Sequence, residues 1–254
     1  MMEKCAINGF YTPAQRARFY AAVSRRESVR TFISAPDGEQ LSALQYASAR
    51  LCLPGTRIEI RECDEKKLYG SMPFVETIMG TSCYAAFIVD MNVPHALEHM
   101  GISGEAFMLE AVNMGLGTCW VAGTYHRSAV DAELNENEKI VAITPLGVPA
   151  DMGNKERKRR NLRDICFTAP DQWPLWAYNA AECVRIAPSG INLQPWQLNY
   201  AGRTLQLLKR SFVGSRLDMG IAILHMSLGV QEKEHVVYWG EGREVATLLA
   251  EDRI

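Results

Sequence analysis

The sequence contains no apolar run near the ~20 residues that a bilayer span requires, so no transmembrane helix is expected. Its start, Met-Met-Glu-Lys-Cys, has no apolar stretch of the kind a secretory leader carries, which predicts a cytoplasmic chain. Cysteine pairing patterns are also missing. The seven cysteines, at 5, 52, 63, 83, 119, 166 and 183, are odd in number and form no CxxC, against both a disulfide framework and a zinc ribbon. Neither sign of charge is in excess: 27 Lys and Arg stand against 29 Asp and Glu. That balance excludes a global pull toward nucleic acid or an anionic membrane surface. What is present is an ordinary globular mixture, 48% apolar and 22% charged, over 254 residues. Such a length accommodates one large domain or two small ones.

Periodicity alternates between helix and strand. Apolar spacing of three and four predicts helices over Pro13–Ala22 and Gly38–Arg50. Tyr84–Val89 (YAAFIV) reads as a buried strand, and Gly101–Met114 as a helix apolar all round, suited to the middle of a core. Gly115 should stop that helix, because glycine tolerates a left-handed cap. Thr118–Val121, Ile140–Thr144 and Thr204–Leu208 are further strand candidates. Six basic residues between Lys155 and Arg163, followed by Pro170 and Pro174, mark a seam between two halves. The second half echoes the first: Met219-Gly220-Ile221-Ala222 repeats Met100-Gly101-Ile102-Ser103 at an offset of 119 residues. In both halves the order is helix, Pro-Gly turn, strand, apolar helix. A duplicated chain of this kind is a covalent version of a symmetric dimer.

Four segments carry potential chemistry, each with a plain structural alternative. Arg25-Arg26-Glu27-Ser28-Val29-Arg30 holds three guanidinium forks and a hydroxyl that suit a phosphate, or else a solvated helix end. Ala187-Pro188-Ser189-Gly190-Ile191-Asn192-Leu193-Gln194-Pro195-Trp196 is a rigid polar loop suited to a planar heterocycle, or else a capped structural turn. Gly115-Leu116-Gly117-Thr118-Cys119-Trp120 imitates a dinucleotide fingerprint, but Trp120 replaces its third glycine and it follows a helix rather than a strand. Ala122 and Gly123 would still let a flat ring approach the backbone closely. The basic run at 155–163 is too short for a nucleic-acid patch, although one arginine of it could reach a phosphate. Two near-misses complete the survey. His95-Ala96-Leu97-Glu98-His99 fits the H-x-x-E-H pattern of inverted zinc peptidases, and Gly101-Ile102-Ser103-Gly104-Glu105 fails the serine-hydrolase elbow at Glu105. Met100, Met108, Met114, His225, His235 and the tryptophans other than Trp196 read as core.

Together the segments resemble the FMN-dependent nitroreductase family over most of the chain. Arg26, Ser28 and Arg30 match its Arg-x-Ser-x-Arg/Lys motif. Pro188, Ser189, Asn192, Gln194, Pro195 and Trp196 match its Pro-Ser-x-x-Asn-x-Gln-Pro-Trp loop. Gly115, Leu116, Gly117 and Trp120 match the end of its long apolar helix, and Pro145, Gly147 and Pro149 a Pro-x-Gly-x-Pro strand end. Arg159 is the nearest match to a further phosphate-contacting basic residue. The order departs from the family: the intact Pro-Ser loop occurs only in the second half, and its early position holds Leu53-Pro54-Gly55-Thr56-Arg57. This is similar to a fused, pseudo-dimeric branch of the nitroreductases.

The resemblance implies an α+β fold, a three-layer α/β/α sandwich duplicated within one chain. A first half, 1–168, would keep the phosphate side, and a second, 169–254, the ring-side loop. It implies one FMN site built from Arg26, Glu27, Ser28, Arg30, Ala122, Gly123, Arg159, Pro188, Ser189, Gly190 and Asn192, with no catalytic side chain and no metal. NADH or NADPH would deliver hydride to flavin N5 and a small-molecule oxidant would remove it, in ping-pong order. No nucleic-acid or membrane partner is implied, and the chain would act as a monomeric pseudo-dimer or a homodimer. A non-catalytic flavin-binding protein, for storage or sensing, remains the alternative, with the zinc peptidase behind it.

Overall fold

A computed structural model describes residues 2–70, 77–151, 158–210, 214–231 and 233–251. Lys155 and Arg157 of the basic run therefore lie outside the described residues. In chain order the elements are α1 (Pro13–Val23), β1 (Phe32–Ser34), α2 (Gly38–Arg50), β2 (Thr56–Glu62), α3 (Glu65–Leu68) and β3 (Cys83–Asp90). Next come α4 (Ala96–Asn113), β4 (Glu138–Pro145), β5 (Val148–Pro149), α5 (Leu162–Ile165) and α6 (Leu175–Ile186). The chain closes with β6 (Trp196–Ala201), β7 (Thr204–Lys209), α7 (Arg216–Gly229), β8 (Glu234–Trp239) and β9 (Glu244–Glu251). No helix among the described residues is long and apolar enough to cross a membrane.

Local chemistry sets several boundaries. Capping boxes open three helices, pairing Thr12 with Gln15, Asp37 with Gln40, and Ser215 with Asp218, so each satisfies two otherwise orphan backbone donors. Gly115, at φ 78°, ends α4: its N–H reaches the Val112 carbonyl while Leu116 N–H reaches Ala111, the paired bonds of a Schellman cap. The expected Gly101 start of α4 is five residues late, because its first turn is polar and His95, at φ 58°, makes no side-chain cap. Thr118–Val121 is extended but forms no ladder. Gly117, Thr118 and Val121 bridge to three different segments, at Gly147, Ser28 and Ile143.

The chain divides into two compact units, neither continuous in sequence. The arginine-motif unit comprises Arg25–Ala96 and Ser103–Lys155; the loop unit comprises Met1–Ser24, Leu97–Ile102 and Glu156–Ile254. Packing thus assigns the first 24 residues to the C-terminal elements, a grouping unlike the 1–168 and 169–254 halves expected from the repeat.

In the arginine-motif unit, β2, β3 and β4 form an antiparallel sheet in that order. β3 is buried from Cys83 to Val89, which explains its unbroken apolar run. In the loop unit, a four-stranded antiparallel sheet runs β6-β7-β9-β8, with α7 buried from Leu217 to Gly229. Both sheets follow one plan: helix, loop, antiparallel hairpin, apolar helix, then a strand beside the hairpin's second member. Among the described residues, α3 between β2 and β3 is particular to the first and β8 to the second. The echoed glycines meet within the loop unit. A Cβ on Gly101 would lie 2.8 Å from Gly220 Cα, and one on Gly220 would lie 2.0 Å from the Glu98 carbonyl oxygen, so helices approach this closely only with glycine at both positions.

Candidate functional site

The Arg-x-Ser-x-Arg segment runs beside the turn that follows α4. Val29 N–H donates to the Thr118 carbonyl at 2.9 Å, and a Cβ on Gly117 would lie 2.8 Å from Val29 Cβ. Arg26 and Val29 are buried, Glu27 and Arg30 are half-buried and Ser28 is exposed, a spacing of three rather than the strict alternation of a regular strand. Arg26 reaches inward, where its Nε lies 3.4 Å from Glu105 Oε1 on α4. The other carboxylate oxygen of Glu105 accepts from Trp120 Nε1 at 2.7 Å. Trp120 packs on Phe87, ring centroids 4.7 Å apart, and against Gly104, where an added Cβ would lie 2.5 Å from the indole. Trp120 is therefore a bonded brace rather than simple core filling. Two residues on, Ala122 and Gly123 are exposed, and a Cβ on Gly123 would meet nothing within 4 Å. Val121 N–H, bonded to the Ile143 carbonyl at 2.9 Å, and Tyr125, buried beneath in the apolar cluster, hold them in place. Burial raises the Tyr125 phenol above its ordinary pKa, so it stays neutral.

In the loop unit, residues 187–195 adopt an uncommon backbone. Ile191, Asn192 and Gln194 have φ of 43°, 57° and 49°, the left-handed region that non-glycine residues rarely occupy. For β-branched Ile191 this costs on the order of 1–3 kcal/mol, so neighbouring contacts must over-determine the conformation. They do. Gly190 N–H donates to Asp218 Oδ1 at 2.8 Å, and Gln194 N–H to Ser189 Oγ at 2.9 Å. Arg160 N–H donates to Gln194 Oε1 at 2.8 Å. Arg159 Nη1 donates to Asn192 Oδ1 at 2.7 Å and Nη2 to the Ile186 carbonyl at 3.2 Å. Asn192 Nδ2 completes the set at the Lys158 carbonyl, 2.8 Å away. The strained loop leaves Ile191 91% exposed at its tip.

These contacts sort the residues selected from sequence. Arg26, Glu27, Ser28, Arg30, Ala122 and Gly123 lie in the arginine-motif unit; Arg159, Pro188, Ser189, Gly190 and Asn192 lie in the loop unit. Within the loop unit Arg159 does meet the Pro-Ser loop, as its clamp. The side chains of Ser189, Asn192 and Gln194, read from sequence as ligand-facing, are committed to holding the loop's own shape. Sequence reasoning did not assign Glu105, Asp218 or Ser103 to the site, and met Ser103 and Glu105 only as a failed serine-hydrolase elbow. Their signal was available: Glu105 and Asp218 are acidic residues within apolar helical runs, and a buried carboxylate requires partners.

A flavin phosphate is an anion that needs donors the fold has left over. Arg26 Nη1 is such a donor, buried and without a hydrogen-bond partner among the described residues. Ser28 and Arg30 add accessible donors beside it, and the open backbone at Gly123 suits a flat ring. On these counts the residues fit FMN. The H-x-x-E-H segment is occupied otherwise: Glu98 Oε1 accepts from Arg216 Nε at 2.6 Å, and the His99 ring lies 5.7 Å from that of Trp239. Among the described residues no group of three or more His, Cys, Asp or Glu could hold a metal ion.

A family model described as "Putative TM nitroreductase" matches residues 18–230. The chain belongs to this nitroreductase family. A solved structure from Thermotoga maritima MSB8, described as a putative nitroreductase, is similar at 23% identity and TM-score 0.67, covering 91% of this chain and 93% of that one. This likeness establishes the nitroreductase-like α+β fold. Shorter likenesses include a putative nitroreductase of Desulfovibrio desulfuricans in complex with FMN, 18% identical, TM-score 0.48, covering 61% of this chain and 98% of that one. Another is a putative NADH oxidase of Clostridium acetobutylicum, 18% identical, TM-score 0.44, covering 58% of this chain and 99% of that one. No curated protein matches this chain.

Proposed function

We propose that the chain is a cytoplasmic FMN-dependent oxidoreductase of the nitroreductase type, with one flavin site per chain. NADH or NADPH is its reductant and a small-molecule oxidant its acceptor. The observation that carries the reading is the unsatisfied, buried Arg26 Nη1 within an Arg-x-Ser-x-Arg motif in a member of this family. The division of motifs supports a single site, since the arginine motif occurs only before residue 31 and the intact Pro-Ser loop only after residue 187. The shared sheet plan supports a duplication, expected from the sequence as halves 1–168 and 169–254.

When bound, FMN would supply the hydride-transfer chemistry, and the residues of the chain would bind and orient it. Arg26, through Nη1, and Arg30 would hold the phosphate, and Ser28 would donate its hydroxyl. Backbone N–H groups at Ala122 and Gly123 would face the polar edge of the ring, as fixed donors that need no reorganisation when charge develops there. Pro188, Ser189, Gly190 and Asn192 are the ring-side residues that the family resemblance implies, and Arg159 clamps their loop. No general acid is needed, because solvent can supply protons. The test is the visible spectrum and flavin content of the purified chain, followed by anaerobic mixing with NADH and with NADPH. One FMN per chain, bleached by either nucleotide, is expected. Two flavins per chain would overturn the single-site reading. A flavin bleached by neither would make the chain a flavin-binding protein without turnover.

A further inference from the structure

We propose that Glu105 is a positioning residue for the flavin site, orienting the Arg26 guanidinium with one carboxylate oxygen and the Trp120 indole with the other. This rests on the FMN reading above. Glu105 is wholly buried, on a helix that is otherwise apolar from Met100 to Leu109 apart from Ser103. Burying a carboxylate is costly unless it is paired and hydrogen-bonded, and this one is both. Its two contacts lie in two different parts of the proposed site. Arg26 belongs to the phosphate segment, and Trp120 immediately precedes the pinned Val121 and the open Ala122-Gly123 backbone. Holding Arg26 by Nε leaves Nη1 as the donor without a partner, the atom that an anion would satisfy. Holding the indole between Phe87 and Gly104 fixes the direction in which the chain leaves toward Ala122. One buried charge therefore sets both ends of the arginine-motif unit's contribution.

Sign separates this role from simple charge neutralisation. If Glu105 only cancels Arg26, then Glu105→Gln removes the compensating negative charge, leaves Arg26 unneutralised near the phosphate and tightens FMN binding. If Glu105 positions Arg26 and Trp120, the same change weakens FMN binding tenfold or more. Trp120→Phe is the second variant, keeping a ring on Phe87 while losing the N–H to Glu105 and part of the indole edge that packs on Gly104. It should retain its thermal midpoint within a few degrees, weaken FMN binding about threefold, and shift the long-wavelength band of bound flavin at saturation. Flavin-fluorescence titration of the apo chain and absorption of the saturated chain read these effects. Glu105→Gln binding FMN as tightly as the parent, or more tightly, overturns the proposal; an unmoved band and affinity in Trp120→Phe do the same, and decide if Glu105→Gln does not fold. A parent chain that binds no FMN overturns the functional reading as well, whereas unchanged variants of an FMN-binding chain overturn this proposal alone.

Discussion

The two Pro-Gly loops occupy corresponding places in the repeat and are built differently. In the first, at 51–56, only Gly55 takes a positive φ, 75°, and the tether to the apolar helix is a neutral hydroxyl: Leu53 N–H donates to Ser103 Oγ at 3.1 Å. In the second, three side-chain-bearing residues sit in the left-handed region and the tether is a carboxylate, with Asp218 accepting from both Gly190 and Ser215 N–H groups. The first loop is a relaxed turn that needs little support. The second is a strained conformation maintained by a clamp of charged and amide groups, and strain of this kind concentrates where a site must be pre-shaped.

Removing the tethers sharpens the contrast most. Asp218→Ala takes away a buried charged acceptor serving two backbone donors, and should cost about 2–4 kcal/mol in urea denaturation. Ser103→Ala, which orphans one donor, should cost about 1–2 kcal/mol. Equal losses would erase the distinction between the loops.

Acid should act next, on the strand that only the loop unit possesses. On β8, His235 Nδ1 lies 3.4 Å from Arg16 Nη1 and Nε2 lies 2.6 Å from Ser227 Oγ. Because arginine can only donate, Nδ1 accepts, so Nε2 carries the proton and donates to Ser227. Burial first, then the Arg16 charge, lowers the His235 pKa from 6.5 to about 4. Between those values the unfolded chain takes up the proton and the folded chain does not. Stability from this group is therefore present above pH 6.5 and lost as pH falls toward 4, by about 3 kcal/mol. Urea midpoints measured from pH 7 to pH 4 should fall less steeply for His235→Gln than for the parent; parallel slopes would exclude this residue as the cause.

The smallest effect has the opposite direction. Ile191→Gly relieves the left-handed strain and should raise the stability of the apo chain by about 0.5–1 kcal/mol, net of the glycine's greater freedom when unfolded. A comparable loss of stability would show that the loop conformation is not strained in the folded chain.

Legibility followed how local each determinant is. The limits of α1 and α2 could be read closely because their caps, Thr12 with Gln15 and Asp37 with Gln40, lie within four residues of chain. β3 was visible as an apolar run and Gly115 as a stop, for equally local reasons. Thr118–Val121 resembled a strand by composition, yet its two bridges go to two remote segments, at Ser28 and Ile143, and no local pattern records partners so dispersed. The same holds in the candidate site. Arg26, Ser28 and the Pro-Ser loop were found through contiguous motifs. Glu105 was not, because it acts through Arg26 and Trp120, which stand 79 residues before it and 15 after it.

By itself, then, the sequence determined the family-bearing motifs, their division between the two halves, and the helices and strands whose caps and periodicities are local. Only the tertiary structure decided which polar groups are already committed. It joined Asn192 to Arg159, gave Glu105 two partners, left Arg26 Nη1 without one, and grouped the first 24 residues with the C-terminal elements. The physical reason is that a side chain's donors and acceptors are satisfied by whatever folding brings within about 3 Å, irrespective of separation along the chain.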